Sequence, residues 1–389
     1  MYKRHLKLPI GKKSFFLFGP RQTGKSTLIN AILQDVPHRT INFLERDTFL
    51  LYKTRPERLR YEIEAMKLDK PFIIFIDEIQ KIPEILDEIH LLLEQFKGKL
   101  SFIMTGSSAR KLKRASVNFL AGRAWQFSLY PLTHKELGEK FDLKSILSRG
   151  SLPPIISEEA DDAIQTLHAY TQTYLKEEIL EEALSRNISA FSKFLEIAAD
   201  QSGSIINYSN IARETHVSVK TIQGYYQILE DTLIAIRLPV YTRSARKRLV
   251  LHPKYYLFDT GVIQSLTGRS SQTIREGTSL FGNLFEHFVI LEILRLASYA
   301  LKDWHFYFWR TAHGAEVDLV IETGNDLWAI EIKTSQQINS NQLQGLQSFK
   351  EDYPQAKLIC VSNVSRAYKV GSIPIINWRS LFNLDYLNL

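Results

Sequence analysis

Cysteine is almost absent from this chain: among 389 residues there is one, Cys360. A single cysteine closes no internal disulfide, which fits a reducing compartment and gives a cytoplasmic expectation. Its apolar surroundings, Leu358 to Val361, read as core. No apolar run approaches the roughly 18–20 residues that cross a bilayer, so no membrane partner is expected. The basic stretch Met1 to Lys7 is not followed by the apolar segment of a signal sequence. Internal repeats and low-complexity tracts are missing. The histidines, Trp304, Tyr307 and Trp309 show no ligand spacing and read as packing. No zinc spacing and no Ser–His–Asp outline appears. What remains is an ordinary globular composition, 44% hydrophobic and 23% charged, in a chain long enough for two or three cores.

The net charge of +7 is a mild excess. It permits a polyanionic partner such as DNA without requiring one. Its distribution is uneven. Arg243, Arg246, Lys247, Arg248 and Lys254 crowd one stretch, whereas Glu158 to Asp162 and Glu177 to Glu182 are acidic.

Residues 1–130 alternate short apolar runs with amphipathic ones. Phe15 to Phe18, Thr40 to Leu44, Phe72 to Asp77, Ser101 to Gly106 and Ala124 to Leu129 read as buried strands. Ser26 to Leu33 and Ile82 to Phe96 read as helices between them. That alternation predicts a parallel α/β sheet. Residues 131–200 are helical in period, broken at Gly150 to Pro154, and 201–240 are helical before the apolar run Leu233 to Val240. A long helix is expected over 275–300. Strands dominate afterwards, at Phe306 to Arg310, Glu316 to Ile321, Leu327 to Lys333 and Lys357 to Ser362.

Gly19 to Ser26 fits the pattern G-x-x-x-x-G-K-[ST], after an apolar strand and at the start of a helix. Glycines let backbone N–H groups turn inward around phosphates, and the helix N-terminus adds partial positive charge. Lys25 is expected at the β- and γ-phosphates, and the Ser26 hydroxyl on Mg²⁺. Gly19, Gln22, Thr23, Gly24 and Thr27 complete the expected ATP contacts. The continuous apolar run Phe72 to Ile76 predicts a strand covered on both faces, with Asp77 at its C-terminal end. Asp77 would help hold Mg²⁺, and Glu78 would polarise the attacking water. Thr105, Ser107 and Ser108 end the next strand. Their hydroxyls either contact the γ-phosphate or the water, or cap the following helix. Arg123, just before the fifth strand, either enters a neighbouring subunit's site or is a surface arginine.

These residues, with Leu120 to Arg123 and Leu129 to Leu132, resemble bacterial and archaeal AAA+-type ATPases that carry a C-terminal domain of unknown function. Gly150 to Pro154, Tyr225 to Asp231, Tyr256 to Gly261, Gly282 to Glu286 and Phe308 to Arg310 extend the resemblance over nearly the whole chain. It implies an ATPase, working as a homo-oligomer, and fixes no substrate.

In the middle, residues 207–229 outline a helix-turn-helix. Ile211 and Ala212 end one helix, Thr215 to Val217 turn, and Ser218 caps the next. Lys220 and Gln223 are expected outward, and Ile222, Tyr226 and Leu229 inward. The basic stretch Arg243 to Arg248 stands where a winged helix keeps its wing. It reads either as a salt-sensitive phosphate contact or as a solvated loop on a protein-packing module.

Gly324-Asn325 is a two-residue hairpin signal. A turn centred there sets Val317 opposite Ile332, Leu319 opposite Ile330 and Ile321 opposite Trp328, an apolar face. On the other face Asp318 stands opposite Glu331, and Glu316 opposite Lys333. Directly opposed β-carbons are about 4.5–5.5 Å apart. Two carboxylates so placed call for a cation, and hard oxygens suit Mg²⁺ or Mn²⁺. Lys333 could orient a water or steady a pentavalent phosphate. The arrangement resembles the PD-(D/E)XK nucleases, with Asp318 as the first acid and Glu331 and Lys333 as the E-x-K. Glu286 matches a further helical acid of resolvase-like members. Val317 stands where the superfamily has a proline. The alternative is a hairpin face with an ordinary Glu316–Lys333 pair.

The expected architecture is therefore α/β in three parts: an AAA+-like P-loop core over 1–135, a helical and winged-helix domain over 136–265, and a restriction-endonuclease-like domain over 266–389. One functional expectation is an ATP-driven DNA-processing machine whose C-terminal site cuts or grips DNA with a second Mg²⁺ or Mn²⁺. The other is a nucleotide-dependent switch whose C-terminal domain only binds a partner.

Overall fold

The structure is a computed structural model that describes residues 2–110, 112, 120, 122–175, 187–242, 252–383 and 386–387. Arg243, Arg246, Lys247, Arg248 and the acidic run Glu177 to Glu182 lie outside the described residues. Two compact units are present. One runs to Leu132 and includes Gln227–Ile234; the other holds Thr133 onward, apart from that stretch. Most of 136–265 and all of 266–389 fall in the second unit, while Gln227–Ile234 belongs to the first.

The first unit is built on five parallel strands, β1 (Ser14–Phe18), β2 (His38–Asn42), β3 (Phe72–Asp77), β4 (Leu100–Gly106) and β5 (Ala124–Ser128), in the order β2-β3-β4-β1-β5. The order places β1 and β3 on either side of β4, so their C-terminal ends open at one edge. Helices Lys25–Leu33 and Ile85–Gln95 connect strands. Their apolar residues, Leu28, Ile29, Leu33, Ile85, Leu86, Ile89 and Leu92, are buried. Ile74, Ile76, Phe102 and Met104 of the sheet join Ile79 to Leu92 in one core.

The second unit opens with helices. Helices Ile188–Asp200, Tyr208–Thr215 and Val219–Asp231, the last with its residues from Gln227 on in the first unit, precede the antiparallel pair β6 (Ala235–Leu238) and β7 (Lys254–Leu257). The helix expected to end at Ala212 runs one turn further. It stops at His216, whose φ of 55° is left-handed. The next helix starts where expected, because the Thr221 N–H donates to Ser218 Oγ at 3.1 Å. Lys220 and Gln223 are exposed; Ile222, Tyr226 and Leu229 are buried.

The largest sheet is mixed, with six strands in the order β12-β13-β11-β10-β9-β8. These are β8 (His305–Arg310), β9 (Glu316–Glu322), β10 (Leu327–Ile332), β11 (Lys357–Ser362), β12 (Tyr368–Val370) and β13 (Ile373–Asn377). The hairpin register is the one that a Gly324-Asn325 turn dictates: Leu319 pairs with Ile330 and Ile321 with Trp328. Gly324 has φ 83°, and the Thr323 N–H donates to Asp326 O at 3.0 Å. Both faces of the hairpin are covered, however. Val320 and Ala329, on the Asp318 face, are as inaccessible as Leu319 and Ile330. Helix Gln344–Asp352 accounts for part of this. Its Gly345 lies against the backbone of Glu316, where any β-carbon would overlap the Glu316 carbonyl oxygen.

Candidate functional site

At the end of β1 the chain turns sharply through Gly19. A β-carbon there would overlap the carbonyl oxygen of Leu129, so the close approach of the two segments needs glycine. Gln22 and Gly24 adopt left-handed backbone, with φ of 64° and 89°. The loop is braced from within by Thr23, whose hydroxyl donates to Pro20 O at 2.9 Å. It is braced from outside by Arg4, which donates to Thr23 O at 2.7 Å and Tyr130 O at 2.6 Å. Buried Lys25 sends its Nζ back onto the loop, 2.7 Å from Gly19 O and 3.0 Å from Pro20 O. Thr27 is exposed on the first helical turn.

Ser26 and Asp77, distant in sequence, meet because β1 and β3 end at the same edge. The Ser26 hydroxyl donates to Asp77 Oδ2 at 2.7 Å. The Thr105 hydroxyl donates to the other carboxylate oxygen, Oδ1. A hydroxyl and a carboxylate are hard oxygen donors, the chemistry Mg²⁺ requires. Ser26 and Asp77 would hold the ion, which neutralises charge developing on the phosphates. Glu78 follows with left-handed backbone, φ 61°, and a buried side chain. Its Oε2 accepts from Gln80 Nε2 at 2.5 Å, and the same amide nitrogen lies 3.1 Å from Ser107 Oγ.

The three hydroxyls at the end of β4 and just beyond it thus separate. Thr105 serves Asp77, Ser107 serves Gln80, and Ser108 accepts from the Arg110 N–H at 3.0 Å in a capping role. Arg123 stands elsewhere. It precedes Ala124, which pairs with Ser14 at the N-terminal edge of the sheet, and the loop at Gly19 leaves the opposite edge. There its guanidinium binds Glu94 at 2.5 Å. It cannot reach the phosphate loop of its own chain.

The second cluster lies wholly within the second unit. Asp318 and Glu331 are side by side on β9 and β10, and both are buried. Asp318 Oδ2 accepts the Ile332 N–H at 2.7 Å and lies 4.0 Å from Lys333 Nζ. Lys333 bonds Glu331 Oε1; Glu331 Oε2 is buried with no hydrogen-bond partner among the described residues. The Glu316–Lys333 pair of the alternative reading does not form. Glu316 instead binds Lys254, 2.6 Å away on β7, and Arg310 at 3.7 Å. Lys254 Nζ also lies 3.7 Å from Glu286, which accepts from the Tyr256 hydroxyl at 3.0 Å.

Burial, and then the charge of Asp318, pushes Glu331 up to about 8 and Glu286 up to about 7. Burial alone would lower Lys254, but Glu286, Glu316 and Asp318 outweigh it and hold it protonated. The cation that opposed carboxylates require is therefore supplied in part by two lysines. Among the described residues, no group of three Asp, Glu, His or Cys side chains has metal-holding geometry. Sequence reasoning missed Arg4, Gln80, Lys254 and Tyr256. Only Gln80 carried a local signal, two residues after Glu78.

The parallel sheet, the phosphate loop and the Ser26–Asp77 pair define a P-loop ATPase domain. Residues 11–138 match the family described as AAA domain, and the first unit is a nucleotide-binding ATPase of that type. Residues 140–273 and 281–381 match two families each described as a domain of unknown function, DUF8612 and DUF4143. The chain is similar to the uncharacterized proteins Rv2008c of Mycobacterium tuberculosis and Mb2031c of Mycobacterium bovis. Identity to each is 26% over 82% of this chain and 69% of the relative. An uncharacterized protein of Haemophilus influenzae is 20% identical over 92% of this chain and 91% of its own. Among solved structures, the Walker-type ATPase PABY2304 of Pyrococcus abyssi aligns with a TM-score of 0.44. It is 14% identical and covers 65% of this chain and 90% of that one. Among the described residues, no helix is long and apolar enough to cross a membrane.

Proposed function

We propose that the protein is a Mg²⁺-dependent ATPase that works as a homo-oligomer on DNA, with the second unit as the DNA-handling part. Lys25 and the loop from Gly19 to Ser26, with Thr27 behind it, hold the phosphates. Ser26 and Asp77 hold Mg²⁺, Glu78 polarises the attacking water, and Ser107 donates toward the γ-phosphate. Arg123 acts on the ATP of another copy, since its own is across the sheet. A finger of this kind contributes about 10³–10⁵ in rate, so turnover per chain should rise with protein concentration and lose that rise in Arg123→Ala. The helix-turn-helix outline, with Lys220 and Gln223 exposed, gives a winged-helix-like surface for phosphates.

The observation that carries the DNA reading is the convergence of buried Asp318 and Glu331 with half-buried Glu286 and Lys333 in one cluster. In a nuclease of PD-(D/E)XK type, Asp318 and Glu331 would hold the ion and Lys333 would steady the phosphate. A second reading has its own support: Lys254 on Glu316 and Lys333 on Glu331 already neutralise the cluster. On that reading the unit grips a partner without cutting.

The test is cleavage. End-labelled single-stranded, duplex, forked and four-way DNA is incubated with Mg²⁺ or Mn²⁺, with and without ATP, beside Asp318→Ala. Cleavage lost in the variant establishes the nuclease. Intact DNA with ATP turnover preserved establishes the binding module. Salt-insensitive association with every DNA would sink both, because phosphate contacts weaken steeply with salt.

A further inference from the structure

Gln80 is 4% exposed and stands between two groups of the candidate hydrolytic site. The short 3₁₀ turn Ile79–Lys81, entered through the left-handed Glu78, swings it back under the end of β4. Gly106 leaves room for it: a β-carbon there would come within 2.5 Å of Gln80 Oε1. The orientation of the amide follows from its neighbour. A carboxylate oxygen only accepts, so the atom 2.5 Å from Glu78 Oε2 is the NH₂ group. That group has two hydrogens, and its second acceptor is Ser107 Oγ at 3.1 Å. Ser107 accepts on this side, which leaves its own hydrogen to donate on the other.

We propose that Gln80 is a positioning residue for ATP hydrolysis: one amide group holds the Glu78 carboxylate and orients the Ser107 hydroxyl as a donor toward the γ-phosphate. The proposal rests on the reading of Glu78 as the group that polarises water. Leucine at this position keeps the bulk and removes both hydrogen bonds. Glutamate keeps the shape, removes the donors and adds a like charge beside Glu78.

The test is steady-state ATP turnover by the full chain with Mg²⁺, beside binding of a non-hydrolysable ATP analogue. Gln80→Leu should lower kcat by about tenfold or more, with KM and analogue affinity within about twofold, the split expected of a group that acts after binding. Combined with Ser107→Ala, the loss should be less than the product of the single losses, as for residues acting through one network. Gln80→Glu, which tests the idea if the leucine variant folds poorly, should lower kcat in the same way at unchanged analogue affinity, because it loses both amide hydrogen bonds and sets a like charge beside Glu78. Unchanged or raised turnover in both variants, with Glu78→Gln inactive, overturns the proposal alone. Full activity in Glu78→Gln overturns the reading of Glu78 and this proposal with it.

Discussion

Ser26 donates its hydroxyl hydrogen to Asp77 across 2.7 Å, and Asp77 takes a second hydroxyl from Thr105. The two hydroxyls are not equivalent. Ser26 opens the helix behind the phosphate loop, whereas Thr105 is fully buried in β4. Ser26→Ala removes a proposed ligand of Mg²⁺; Thr105→Val removes only an orienting bond. We expect Ser26→Ala to cost about 10²-fold or more in ATP turnover and to raise the Mg²⁺ requirement. Thr105→Val should cost less and leave that requirement near its original value. A Mg²⁺ titration of ATPase rate separates them.

Gly19→Ala drives a methyl group into the Leu129 carbonyl. The main chain on both sides must shift, at a cost of about 1–3 kcal/mol. Nucleotide binding should fall with it, because the loop leaves β1 at this point. Binding of a fluorescent ATP analogue, with thermal unfolding in parallel, checks both effects. Unchanged affinity would show that the loop accommodates the shift.

Lys254 is enclosed by Glu316, Glu286 and the ring of Phe308, 5.2 Å from its centroid. Lys254→Met leaves these carboxylates without their buried cation, with only Arg310 at 3.7 Å beside Glu316, and we expect the second unit to lose about 3 kcal/mol. Adding Glu316→Gln should recover part of the loss by removing one of the stranded charges. Trp125 is the one tryptophan of the first unit; the other four, including Trp309 and Trp328, lie in the second. Tryptophan fluorescence during unfolding therefore reports mainly the second unit.

Burial raises Glu331 to about 8 and Glu286 to about 7, above the roughly 4.3 of an unfolded chain. Between these values the folded state binds the extra protons, so stability must fall as pH rises from about 5 through about 8. The lysines Lys254 and Lys333, held protonated, add no slope in that window. Glu331→Gln removes one titrating group. Unfolding midpoints measured across the window should decline less steeply in this variant, and an unchanged slope would show that Glu331 does not carry it.

What could be read from the sequence was what depends on neighbours along the chain. The phosphate loop is a local pattern, and the pairing of Leu319 with Ile330 follows from the turn at Gly324-Asn325. The burial of Asp318 was not legible, because its covering comes from elsewhere in the chain. Nor was Lys254 on Glu316: in sequence Lys254 belonged to a basic stretch, 62 residues from the acid it meets across the fold. Arg4 escaped for the same reason, reaching Thr23 and Tyr130 from outside the motif.

The hairpin turn does more than reverse the chain. Side chains alternate in direction along a strand, so the partnership of Asp318 and Glu331 depends on the parity of the residues between them. Inserting one residue at Gly324 would turn one acid away from the other without altering either. In descendants of this gene, point changes can silence the charge while keeping the geometry. An odd insertion in the turn breaks the geometry while keeping every acid, so turn length is the trait to compare when asking which descendants still hold the pair.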